Sequence, residues 1–293
     1  MKEKSDEPTN QRSEMSQPEA QERPKYQEVS PDELKQILEA HQKWLESDGM
    51  EGKQADLWKA NLQKANLRNA ILKGAYLRRA NLQRADFRGS KLQRAVLRGA
   101  KLQGADLLGA DLQEADLRLA DLQKADLRLA KLQGADLLGA KLQRADLRGA
   151  NLQGADLVYA HLQKADLQEA NLVGAKLQEA NLGFAQLQEA NLNGANLQEA
   201  NLGFANLQEA NLVGAKLQEA NLVGAKLQEA NLGFAQLQEA NLNGANLRGA
   251  ELKHTNLEDA EGLTQGQLDG ACGNEGTKLP PRLSIKLCTD DSK

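Results

Sequence analysis

Between residues 55 and 260 the apolar positions recur every fifth residue without a single insertion or deletion. Forty-two positions are multiples of five, and all are Ala except Ser90 and Thr255. Two places after each stands Leu, in 40 of the 41 cases from 57 to 257, with Phe87 the exception. A polar residue lies between them, Asp, Asn or Lys in most repeats. In an α-helix five residues advance roughly 500°, so leucines at this spacing would wander round the axis and bury no face. In a strand an odd period sends successive leucines to opposite faces. A chain that turns a corner once per repeat escapes both problems. Each five-residue side then points its Leu and Ala inward and its other three residues outward. The backbone groups of such a coil pair with the coils above and below, about 4.8 Å away, which leaves only the two ends unpaired. Gly holds the second place after Leu in 15 of 41 repeats, which suits a turn. Arg, Glu, Lys and Phe stand there too, so the sequence predicts that a positive φ is not required at every corner.

The flanks read differently. Residues 1–29 are rich in Glu, Lys, Gln, Ser and Pro and read as a disordered polar tail. Ser30-Pro31-Asp32-Glu33 combines an N-cap serine, a proline at the first helical position and a capping-box Glu. Leu34, Ile37, Leu38, His41 and Leu45 follow at helical spacing, and Asp48-Gly49 ends the element. Residues 30–54 therefore form an N-terminal capping helix and linker. Thr264-Gln265-Gly266-Gln267 is a second capping-box match, opening a short helix within a C-terminal cap and flexible tail at 261–293. A plug at each end would block edge-to-edge growth.

The tandem A-[D/N]-L-x-x pattern resembles the pentapeptide repeat family. The flanks, with Glu33-Leu34, His41, Trp44-Leu45, Gly49, Gly52 and Ala55-Asp56-Leu57 on one side and Gly262-Leu263-Thr264-Gln265, Gln267-Leu268, Ala271-Cys272-Gly273 and Leu279-Pro280-Pro281 on the other, are similar to those of bacterial members. The resemblance implies an all-β solenoid, a right-handed quadrilateral β-helix with four repeats per coil. The chain would make about ten coils and a rod of about 50 Å, capped by a short helix at each end. Some family members resemble B-form DNA, bind DNA gyrase and protect against quinolones, and some bacterial effectors carry these repeats. The resemblance thus implies two alternatives to a plain scaffold. One is a DNA-mimicking gyrase-binding protein, and the other is a secreted effector.

The chain has 293 residues, a net charge of −4 and 3% aromatic residues, so large core-filling side chains are scarce. Its start lacks the apolar stretch of a signal peptide and no run is long enough to span a membrane, which makes cytoplasmic the expected location. Export by a secretion system that reads no cleavable signal stays open. Cys272 and Cys288 form no CxxC or Cys/His metal spacing and read as unpaired thiols in a reducing compartment. The three histidines, His41, His161 and His254, are far apart, with His41 on the apolar side of the cap helix. No nucleophile–base grouping, phosphate-binding glycine loop or metal-ligand spacing occurs in the sequence. The expectations are no enzyme, no catalytic residue, no cofactor, no metal and no small-molecule substrate.

What remains is the exterior. With four repeats per coil, residues twenty apart stack in columns. Asn181, Asn201, Asn221 and Asn241 form one, and Asn171, Asn191, Asn211 and Asn231 another, predicting hydrogen-bonded ladders between coils. Asp86, Asp106, Asp126, Asp146 and Asp166 form a third, screened by Arg88, Arg128 and Arg148. Charge is polarised along the rod: residues 55–165 hold 20 Lys/Arg against 11 Asp/Glu, a net of +9, while residues 166–250 hold 4 against 9, a net of −5. Two apolar groups break the polar surface, Phe184 with Phe204, and Leu119, Leu138, Val158 and Tyr159 together. The expected function is a non-catalytic scaffold that binds a protein partner through these residues, with head-to-tail or dimeric self-association possible in addition. No nucleic-acid partner is expected, because no aromatic interleaving accompanies the Lys/Arg.

Overall fold

The computed structural model describes residues 26–289, so most of the polar tail and the last four residues lie outside it. Helix α1, Pro31–Glu46, starts at Ser30. The Ser30 hydroxyl accepts from the Glu33 amide, and the Glu33 carboxylate accepts from the Ser30 amide at 2.8 Å. The repeats then wind into a square tower. Its walls are held by isolated parallel bridges that pair residue i with i+20, from Asp56↔Tyr76 to Asn241↔Glu261. This is the quadrilateral β-helix, four repeats to a coil. Helix α2, Gln265–Leu268, follows with the capping box at Thr264.

Each repeat uses its backbone in the same way. In the repeat that begins at Ala205, the Leu207 amide donates to the Lys226 carbonyl at 2.7 Å and the Glu209 amide to Gln228 at 2.9 Å, both in the next coil. The Asn206 amide donates back to Ala185 at 2.9 Å. The Ala210 amide closes a turn onto the Leu207 carbonyl at 3.1 Å. The third residue of that turn is left-handed without exception. All 41 residues at this place have φ between 52° and 74°, and 26 of them are not glycine. The expectation that positive φ is dispensable at some corners is thus corrected. The turn needs a left-handed residue every time, at a cost of about 1 kcal/mol for a side chain. The side chain points outward and meets no wall, so the closing bond and the buried Leu and Ala offset that cost.

The fifth backbone donor explains the polar position. The amide after each Leu has no carbonyl in the neighbouring coil. The Asp or Asn three places before the turn residue accepts it instead, as in Gly183→Asn181 Oδ1 at 3.1 Å, Val213→Asn211 Oδ1 at 3.1 Å and Arg128→Asp126 Oδ1 at 3.1 Å. The asparagine ladders expected from the columns are therefore mostly absent. Their carbonyls are used within the coil, and cross-coil bonds between asparagine side chains are confined to Asn81→Asn61 at 3.0 Å and Asn221→Asn201 at 3.3 Å among the described residues.

The core is one continuous Leu–Ala stack, with Phe87 fully buried among the leucines. Each buried Leu contributes about 1.5–3 kcal/mol before entropy is subtracted. The two polar substitutes for Ala behave differently. The Thr255 hydroxyl donates to the Leu232 carbonyl at 2.7 Å, whereas the buried Ser90 hydroxyl has no partner.

Both ends are closed. Gln27–Glu28, expected within the polar tail, forms a short strand β1 that pairs in parallel with β2, Ala60–Asn61, on the first coil. His41, on the inner face of α1, is fully buried, and its Nδ1 accepts from the Ala55 amide at 3.1 Å. At the far end the Gln267 side-chain amide donates to the Leu242 and Ala245 carbonyls at 2.8 and 2.9 Å, ending the coil where no further repeat donates to them. The chain then folds back on itself. Gly273 donates to Lys286 and Cys288 to Gly273, both at 2.9 Å, which brings Cys272 and Cys288 to a Cα separation of 4.8 Å as a disulfide. The reading of these cysteines as free thiols is corrected, because this fold-back of sixteen residues has no periodic signature.

Gly174 isolates the backbone term, because a Cβ built there would meet nothing within 4 Å. Gly174→Ala should lower stability by about 1 kcal/mol, read by thermal or denaturant unfolding, from the left-handed conformation alone. The His41 cap gives a pH dependence. Burial holds the imidazole below its ordinary value of 6.5, with the Lys73 carbonyl acting in the opposite sense. The unfolded chain therefore binds more protons than the folded one as pH falls below that value. The cap's contribution is complete above it and declines below it. Hydrogen exchange should show α1 amides less protected at pH 5 than at pH 7.5, after correction for intrinsic rates, while mid-rod amides keep their protection.

Candidate protein-interaction surfaces

The left-handed turn residues form the four outer edges of the tower. Because they project outward, a large apolar residue there is exposed whatever its neighbours. Phe184 and Phe204 stand one above the other on one edge, their rings 5.2 Å apart and 11° from parallel. More than half of each residue is accessible, and the Lys164 ammonium lies 5.9 Å from the Phe184 ring centroid on the coil below. Phe204 also leans over Gly224, whose missing Cβ would sit 2.6 Å from the ring.

The second group also comes together. The Leu119 amide donates to the Leu138 carbonyl at 3.0 Å, and the Gly139 amide to the Val158 carbonyl at 2.9 Å. The backbone ladder itself therefore stacks Leu119, Gly139 and Tyr159 on one edge, with Leu138 and half-buried Val158 beside them. The Leu119 side chain lies across Gly139, and the Glu179 carboxylate beside Tyr159 pushes the phenol's pKa up.

The sequence reading missed a third group. Phe234 and His254 stack at 4.7 Å and 11°, and Asn274 Nδ2 lies 2.8 Å from His254 Nε2. The signal was present: residues 171–197 recur identically at 221–247, fifty apart. Phe234 is the copy of Phe184, and His254 takes the place of Phe204. Fifty residues make two and a half coils, so the second stack lies on the opposite edge.

The charged columns are partly self-neutralised. Arg128 bridges Asp126 at 2.6 Å and Asp146 at 3.6 Å, and Arg148 likewise bridges Asp146 at 2.6 Å and Asp166 at 3.6 Å. Arg88 pairs with Asp86, and that hydrogen bond holds the Asp86 carboxyl down at about 2. No group of three or more His, Cys, Asp or Glu side chains able to hold a metal occurs among the described residues. Among the described residues no helix is long and apolar enough to cross a membrane.

A pentapeptide-repeat family model matches the chain in eight copies, from 53–89 to 225–261. The chain belongs to the pentapeptide repeat family. It is similar to HetL, a pentapeptide repeat protein involved in heterocyst differentiation regulation in the cyanobacterium Nostoc sp. strain PCC 7120, with 37% identity over 67% of this chain and 92% of that one, at a TM-score of 0.39. It is also similar to Rfr23 of the cyanobacterium Cyanothece 51142, with 38% identity over 36% of this chain and 63% of that one, at a TM-score of 0.23. QnrB1, a plasmid-mediated fluoroquinolone resistance protein, aligns at 19% identity over 61% of this chain and 92% of that one, at a TM-score of 0.42. Among curated proteins none matches.

Arg128→Met removes the cation shared by Asp126 and Asp146. It should lower the unfolding midpoint at low ionic strength and lower it less in 1 M salt, since half-exposed ion pairs are screened. Unfolding midpoints at the two salt concentrations check it.

Proposed function

We propose that this protein is a non-catalytic scaffold that binds another protein through apolar groups on its outer edges. The observation that carries this reading is the Phe184–Phe204 stack, two exposed parallel rings at 5.2 Å on a rigid edge. Exposing two adjacent aromatic rings is unfavourable in water, and such rings are typical anchors of protein interfaces. The repeating backbone bonds fix their position before a partner arrives, so little ordering is required on binding. Leu119, Leu138, Val158 and Tyr159 offer a second contact group. The reading requires no cofactor and no small-molecule substrate.

The net of +9 over residues 55–165 weighs against a DNA mimic, which would present anionic charge along the whole rod. The Asp column from Asp86 to Asp166 weighs against nucleic acid as the partner, because it would repel phosphates. The Cys272–Cys288 disulfide fits an oxidising compartment and weighs against the cytoplasmic location expected from the sequence.

The test is crosslinking with mass spectrometry in cells of the native host, comparing the intact protein with Phe184→Ser/Phe204→Ser. A specific partner should crosslink near the stack and be lost from the variant, whose circular dichroism stays unchanged. An identical set of crosslinked partners would remove the stack from the function.

A further inference from the structure

The edge that carries Leu119, Gly139 and Tyr159 is complementary to itself. We propose that it is the interface of an antiparallel two-fold dimer, with a second copy of this chain as the occupant. The inference rests on the scaffold reading only in taking these residues as a contact surface, and it leaves the Phe184–Phe204 edge free for another protein.

The argument is one of register. Residues twenty apart stack, so reversing the edge about Gly139 sets each residue against the one equally far on the other side. Leu119 of one copy then meets Tyr159 of the other, and Leu138 meets Leu138 beside the axis. Gly139, at the centre, has no side chain to hold the edges apart. Further out, Arg79 meets Glu199 and Lys59 meets Glu219. On the adjoining column Asp56 meets Lys216. The two-fold repeats every pair, so an apolar centre is flanked on both sides by opposite charges over eight coils, about 38 Å. A parallel pairing would set Arg79 against Arg79 and Glu199 against Glu199. A two-fold interface needs a patch that matches itself on reversal, and the switch of sign along this edge supplies it.

These charges are also unspent. Arg88, Arg128 and Arg148 are committed to aspartates on another wall. By contrast, no ion pair within the chain engages Lys59, Arg79, Glu199 or Glu219 among the described residues. Lys59 only lies over the ring of Trp58, at 4.5 Å. Among the described residues no segment covers the apolar residues at the centre, and Leu119 and Tyr159 are both more than half accessible.

Sedimentation equilibrium on the full chain at 50 mM and 500 mM salt tests the proposal. Twice the monomer mass is expected at low salt, with Kd weakened about tenfold or more at high salt as the flanking pairs are screened. Arg79→Glu and Glu199→Arg should each give monomers. Mixing the two variants should restore a dimer, because the reversed charges then face opposite partners. Leu138→Cys should crosslink to itself on mild oxidation, whereas Leu108→Cys on another wall should not. All the substituted side chains project outward from the core, and circular dichroism confirms that each variant is folded. A chain that stays monomeric at about 100 μM in low salt overturns the proposal. So does a dimer indifferent to Arg79→Glu, or one in which Leu138→Cys fails to crosslink. Loss of the dimer with Phe-dependent partner capture intact would leave the scaffold reading standing, and the reverse outcome would leave the dimer standing.

Discussion

Everything in this molecule is arranged around a left-handed residue placed at every fifth position. That residue turns the chain through a corner and frees the Ala amide to close onto the preceding Leu carbonyl. It also lines up the remaining donors and acceptors with the coils on either side. Twenty-six side chains accept an unfavourable backbone conformation to make this possible. A single such corner would be unstable alone. Stacked, each is held by bonds to coils above and below and by a leucine with nowhere else to go. The regularity of the sequence is thus the regularity of one hydrogen-bonding pattern, repeated until the caps interrupt it.

The same pattern divides the residues between structure and surface. Ala and Leu belong to the interior, and the Asp or Asn that follows Ala serves the one amide that the ladder omits. The two residues after Leu, and Lys where it replaces Asp or Asn, are left to face water. Whatever this protein recognises must be written at those places. The phenylalanine stacks, the Leu–Tyr edge and the charge polarity all occur there.

Much of the fold was legible because a period of five admits few backbones. The Leu–Ala stripe, the capping boxes at Ser30 and Thr264 and the stacking of Phe184 on Phe204 all follow from spacing. What was not legible depended on geometry that spacing does not carry. Glutamate or phenylalanine at a corner gives no hint of positive φ, because propensity argues against it and the closing bond overrides propensity. The asparagines were legible as columns, but their carbonyls turn inward to an amide two residues on, a local choice invisible in a column view. Gln27 and Glu28 are polar and short, and only the first coil's unpaired edge makes them a strand. The cysteine pair depends on a return of the chain with no periodic signature. The Phe234–His254 stack was hidden because its second ring is a histidine, so that a search for hydrophobic residues passes over it.

The repeated segment of residues 171–197 and 221–247 has a geometric outcome of its own. Its offset of fifty residues is a half-integer number of coils. A copy made at that offset leaves the interior undisturbed, since fifty is a multiple of five, yet it emerges on the reverse side of the tower. An offset of forty would have set the copy directly above its source and built a continuous aromatic stripe. The length of the duplicated unit, set without regard to surface, thereby decides whether a lineage of such rods grows one long contact or alternating ones, like leaves set on opposite sides of a stem.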